Sequence, residues 1–292
     1  MKHKTPNLLK LFVLIVAVAM VATLGIGTLG TAFAATDDAA EVQYYGAGAT
    51  TLSLVGSSSE TIRYTSRTIT ESIPNNNNYP KYYNGNMTSY PNACAPVAGA
   101  TLIGFYDKGQ TGLIPNFTPG MQRTGYYYYL PMTYVSSTIQ NVIADLYNRM
   151  GTNSVQNGTS RPDFLNGLRS YASSKGYTMH NTSVMSGTTI NFSALKAQID
   201  AGRTVSLYVD DYGFATYSDQ NNAFTLYYSH YTAKHIMQVF GYRKIDFYNG
   251  GSTPFRTVIM LRVEAGLGSS TSDWYCVGAY GELDAADSIY FS

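Results

Sequence analysis

Apolar side chains recur at helical spacing in four stretches of the chain. Residues 95–107 are small and apolar almost throughout, and Lys108-Gly109 gives a stop. Within 136–150, Ile139, Val142, Ile143, Leu146 and Tyr147 share one helical face, closed by Gly151. Within 161–175, Phe164, Leu165, Leu168 and Tyr171 do the same before Gly176. A fourth helix is expected over 192–201, with Ser193 as its candidate cap and Gly202 after it. The period then changes. Residues 204–209 read as a buried strand, and further strands are expected at 223–228, 235–242, 257–263, 274–279 and 288–291. Ahead of the helices, 50–55 and 61–69 alternate with β periodicity, separated by Ser57-Ser58-Ser59. Residues 74–92 carry Pro74, four asparagines at 75–78, Pro80, Gly85 and Pro91, and read as a loop running into the first helix. Residues 109–134 are irregular. Helices first and strands later predict an α+β fold.

The first 34 residues have a different pattern. Lys2, Lys4 and Lys10 precede an uncharged apolar stretch, and Ala32-Phe33-Ala34 suits cleavage before Ala35. Residues 1–34 are therefore expected to be a signal peptide; an uncleaved anchor is the alternative. The expected location is secreted, extracellular or cell-surface, with no stable membrane span once the signal is cut. Cleavage removes three lysines and no acid, leaving 16 Lys+Arg against 18 Asp+Glu. That balance lacks the basic patch of a nucleic-acid binder. Residues 35–73 are expected as an N-terminal β-type extension or propeptide, and 74–292 as the functional domain. The 27 tyrosines and the 13% charged residues describe a surface rather than a function.

The candidate chemistry centres on Cys94. It stands at the junction of the loop and the first helix, with Pro96 in the first turn, where a missing N–H costs nothing. A helix N-terminus favours a thiolate. His235 opens an apolar strand far downstream and is the candidate base, with His230 as the lesser choice. A carboxylate is expected to accept from His235 Nδ1–H, with Glu264 first and Asp273 second. The oxyanion hole is expected to combine the Cys94 main-chain N–H with a side-chain amide from Asn86 or Asn92. The competing reading of Cys94 is a disulfide to Cys276, the other cysteine, or an inert buried thiol. The run Tyr126-Tyr127-Tyr128-Tyr129 is a candidate groove lining. No cofactor and no metal site is expected.

Three segments carry a resemblance to a known family. They are Asn92-Ala93-Cys94-Ala95-Pro96-Val97-Ala98-Gly99-Ala100 with Gly104-Phe105-Tyr106-Asp107; Leu195 to Val205, a helix followed by Ala201-Gly202 and a strand; and His235 followed by Gly241-Tyr242. Together they resemble papain-like cysteine peptidases of the bacteriocin-leader-processing group and its secreted bacterial relatives. The chain departs from that pattern at Ala95 and Val97, and by the absence of a Gln at 82–93. The resemblance implies a papain-like fold, with a helical N-terminal half carrying the nucleophile and an antiparallel β-rich C-terminal half. It implies hydrolysis of a peptide or isopeptide bond in a peptide, protein or cell-wall peptide substrate. The alternatives are a non-catalytic extracellular binding module, or a cell-wall amidase or acyl transferase.

Overall fold

The computed structural model describes residues 42–46, 53–74, 79–82, 89–115, 137–267 and 273–292. The expected signal peptide, Asn86 and the run 126–129 lie outside the described residues. In chain order the elements are β1 (Tyr44–Tyr45), β2 (Ser53–Arg63), β3 (Ser66–Ser72), α1 (Cys94–Asp107), α2 (Ser137–Arg149), β4 (Thr159–Ser160), α3 (Arg161–Ser174), β5 (Met179–Ser183), β6 (Met185–Ser186), β7 (Thr189–Ile190), α4 (Phe192–Asp200), β8 (Thr204–Gln220), β9 (Ala223–Tyr248), β10 (Arg256–Glu264), β11 (Asp273–Cys276) and β12 (Gly281–Phe291).

One antiparallel sheet of eight strands organises the molecule, and β9 is its spine. One flank of β9 takes β2 along 223–232 and β10 along 238–247; the other takes β8 along 223–239 and β3 along 242–248. β11 bonds both β10 and β8, so β8, β9, β10 and β11 form a closed hydrogen-bonded circuit. Beyond it, β12 and β5 extend the sheet from β8. The β8–β9 hairpin turns at Asn221 and Asn222, both at positive φ (51° and 57°), as a two-residue type I′ connection requires.

The fold is therefore not the helical N-terminal half and β-rich C-terminal half that the papain-like reading implied. Strands take 47% of the described residues and helices 24%, and the large antiparallel sheet starts before the first of these helices. The serines at 57–59 do not interrupt a strand; they lie inside β2. An edge strand is held by its main-chain bonds to β9, so it needs no apolar run to persist. Residues 223–228 and 235–242 are likewise parts of the single 26-residue β9.

The four helices fall where their spacing predicts. α1 is buried along nearly its whole length. It packs with Ile139, Ile143 and Leu146 of α2, Phe164 and Leu168 of α3, and Ile236 and Tyr208 of the sheet. Period-two alternation sends the neighbours Met237, Leu207 and Val209 into a second core with Leu195 and Ile199 of α4. α4 is capped by Asn191, whose side chain accepts from Ala194 N, rather than by Ser193. α3 opens on Arg161, which makes a bidentate ion pair with Asp287 of β12 at 2.7 and 2.8 Å.

A β-bulge breaks the β8 register between Asp210 and Tyr212, with Asp211 at φ 52°. Gly281 stands opposite at φ 72°, where a Cβ would lie 1.8 Å from the Asp211 carbonyl oxygen. No other residue fits there, and the bulge re-aims the side chain that follows it, Tyr212.

Candidate functional site

Cys94 is the first residue of α1 and is 2% exposed. The turn before it is tight. Asn92 sits at φ 59°, in the left-handed region that Asn tolerates, and Ala93 occupies the N-cap position with no side-chain cap. Asn92 is not a free amide for the site: its Nδ2 donates to Asn153 Oδ1 at 3.0 Å. Asn153 in turn accepts from Gly158 N and donates to the Pro91 carbonyl and the Tyr147 hydroxyl.

His235 lies in β9 opposite Val209 and is 1% exposed. Three neighbours tie it to the start of α1. Gly46 N donates to the Lys234 carbonyl, and a Cβ on Gly46 would sit 3.2 Å from the Asn92 side chain. Val97, one turn into α1, lies against Gly266, next to the residue that bonds His235. Tyr212 stacks on the His235 ring at 5.5 Å between centroids and is within electrostatic reach of Cys94.

The imidazole is held by a main-chain group. His235 Nε2 donates to the Ala265 carbonyl oxygen at 2.7 Å, and Nδ1 is buried without a hydrogen-bond partner. The carbonyl can only accept, so Nε2 carries the hydrogen. Burial pushes the His235 pKa down to about 4, against the raising effect of the Ala265 carbonyl. The ring is neutral through the physiological range and presents an unprotonated Nδ1.

This corrects the role expected of Glu264. Its carboxylate does not accept from His235. Oε1 accepts from Gly266 N at 3.2 Å, and Oε2 has no partner. Glu264 instead braces the short turn 264–266, with Gly266 at φ 68°, that carries the Ala265 carbonyl. Burial pushes its carboxyl up to about 8, opposed by the Lys81 cation. The folded state thus keeps a proton that the unfolded chain releases above the ordinary carboxyl pKa of 4.5. That contribution to stability is full below pH 4.5 and is lost as pH rises through 8. Glu264→Gln, which cannot ionise, is expected to match the wild type at pH 4.5 and exceed it at pH 8.5 by roughly 3–5 kcal/mol. Urea unfolding at the two pH values measures the difference; equal midpoint shifts at both would remove the buried proton from the account.

Asp273 does not hold His235 either. It begins β11 opposite Val263, and burial raises its pKa. His230 makes a separate contact: its Nε2 lies 3.1 Å from Ser58 Oγ, and its ring stacks on Tyr280 at 4.1 Å. Cys276 and Cys94 lie in different core clusters and are not bonded to each other, so the disulfide expected as the competing reading is not formed. Burial pushes the Cys276 thiol up to about 11, which makes it a packing residue.

A cleft of about 680 Å³ adjoins this arrangement, walled by Phe214, Tyr227, Tyr231, Leu267 and Asp273, with Ser57, Ser58 and Ser59 of β2 on its other side. Tyr231 and Phe214 both pack on Tyr212, so a stack of rings leads from the cleft to His235. Tyr212 and Ala265 escape a sequence reading. One is a single tyrosine among 27, and the other acts through its main chain. The only sequence trace of Tyr212 is the Asp210-Asp211 pair before it, whose second member forms the bulge. Among the described residues, no three His, Cys, Asp or Glu side chains gather to hold a metal ion, and no helix is long and apolar enough to cross a membrane. Comparison with protein-family models, with curated proteins and with solved structures returns no match for the chain.

Proposed function

We propose that the protein is an exported thiol hydrolase that cleaves a peptide or isopeptide bond through a Cys94 acyl-enzyme, with His235 as base. The observation that carries this reading is the His235 ring. It is buried and neutral, fixed at Nε2 by Ala265 with its Nδ1 left bare, and the strand that carries it packs against the helix that Cys94 opens. A buried nitrogen left without a partner is a cost that a structural histidine avoids, and a base beside a nucleophile requires it. The resemblance of the Cys94 and His235 segments to bacterial cysteine peptidases supports the same chemistry. Export rests on the pattern of residues 1–34.

The reaction follows from the roles. Nδ1 takes the proton from the Cys94 thiol as sulfur attacks the carbonyl carbon. A C–S bond forms, and the carbonyl π pair moves to oxygen. As that pair returns, the C–N bond breaks, and the amine leaves with the proton held on His235. Water, deprotonated by the same Nδ1, then attacks the thioester; the C–S bond breaks, and sulfur recovers its proton. The reading is tested with p-nitrophenyl acetate. A burst of nitrophenol with one acetyl group on Cys94 is expected, absent in Cys94→Ala. No burst, or acetylation elsewhere, would sink the reading. Incubation with denatured protein and with cell-wall muropeptides then sorts peptidase from amidase.

A further inference from the structure

The proposed chemistry creates a negative oxygen at each tetrahedral step, and the amides expected to stabilise it are not supplied by Asn92, whose side chain is engaged with Asn153. Tyr212 fits the need. It is 0% exposed, and its hydroxyl is buried without a hydrogen-bond partner. The ring is placed by the Asp211 bulge and held between Tyr231 and His235, at 5.6 and 5.5 Å between centroids. Of the neighbouring ionisable groups that act on the phenol, Cys94 is the foremost. An orphaned buried hydroxyl costs free energy, and phenylalanine would fill the same space without that cost. A position that keeps the oxygen beside a nucleophile and a base has a use for it.

We infer that Tyr212 is a further catalytic residue, donating its phenol O–H to the oxyanion formed when the Cys94 sulfur adds to the substrate carbonyl. The inference rests on the thiol-hydrolase reading and completes it. The Cys94 main-chain N–H supplies one donor and Tyr212 the other. In the resting protein the hydroxyl lacks a partner, and it gains one only as charge develops on the substrate oxygen, so it binds the transition state better than the ground state. Burial holds the phenol far above its ordinary range, so it stays a donor at every working pH. Nothing is oxidised or reduced, and the proton stays on Tyr212 throughout.

Two probes separate this role from a structural one. Iodoacetamide alkylates sulfur by displacement at an sp³ carbon and forms no oxyanion. p-Nitrophenyl acetate acylates it through a tetrahedral oxyanion. With the full-length exported protein, Tyr212→Phe is expected to melt no lower than the wild type, having shed an unpartnered buried hydroxyl, and to keep its iodoacetamide rate. Its nitrophenol burst is expected to slow roughly 100- to 1,000-fold, the usual loss for one oxyanion donor. An unchanged burst would overturn the inference. Equal slowing with both probes would overturn it too, since Tyr212 would then act on the thiol rather than on the oxyanion. A wild type that alkylates at Cys94 but shows no burst would remove the hydrolase reading itself, and this inference with it.

Discussion

Replacing His235 with alanine is expected to slow alkylation of Cys94 by iodoacetamide at neutral pH by roughly 100- to 10,000-fold, the range over which a positioned base acts. The thiol and its helix remain in that variant, so the loss measures the imidazole alone. The pH profile of the wild type is as informative as the size of the loss. Burial holds the His235 pKa near 4. Its Nδ1 is therefore already a base at pH 5, where a solvent-exposed histidine is almost fully protonated. Reactivity is expected to hold as pH falls through 6.5 and to drop only towards pH 4. His235→Ala would lose that acid limb. A limb centred near 6.5 that survives in His235→Ala would mean that another group activates the sulfur. Thermal melting of each variant separates loss of base from loss of fold. His235 also links stability to pH. Its folded pKa is depressed, so the unfolded chain binds the extra proton, and stability falls as pH drops from 6.5 through 4.

Arg161→Ala is expected to be the most damaging single change away from the site, at roughly 3–5 kcal/mol. Asp287 is fully buried on β12, and both its oxygens are taken by the Arg161 guanidinium, which is itself 39% exposed. Truncating the arginine leaves a charge inside the sheet with no counter-ion. The cost comes from that orphaned charge rather than from the attraction lost, which for a half-exposed arginine is modest. The double variant Arg161→Ala, Asp287→Asn is therefore expected to recover most of the loss. Arg161→Lys keeps the charge but not the fork, and is expected to fall between the two. Thermal denaturation reads all three. A fall of roughly 10 °C is expected for the alanine variant in a domain of this size. An additive double mutant would show that the two side chains are not coupled.

Much of the helical part is legible in the chain. Ile139, Val142, Ile143 and Leu146 face one way, and Gly151 follows; spacing of that kind needs no tertiary context. The sheet is harder, because its strands run past the core. Residues 210–220 and 229–234 are largely Tyr, Thr, Ser and charged side chains, and they pair strand to strand through main-chain bonds that leave no apolar signature. The Asn221-Asn222 turn was the available signal, since two adjacent asparagines suit the positive φ of a tight hairpin. At the site, Cys94 and His235 stand out through their chemical type and their surroundings. The group that orients the imidazole does not, because a carbonyl is common to every residue. Glu264 lies one position before Ala265, so the expected carboxylate marks the right turn and the wrong atom.

The pairing of β2 with β9 carries a consequence for how the chain reaches this state. Ser58 meets His230 across a separation of 172 residues, and the outer strands of the sheet close only when the last third of the protein exists. α1, α2 and α3 contact one another within a much shorter span. Loop-closure entropy therefore favours an early helical cluster, with β2 and β3 waiting for β9, a partner synthesised long after them. Cys94 would be housed before His235 arrives, and the reactivity proposed for the pair would appear only once β9 has docked.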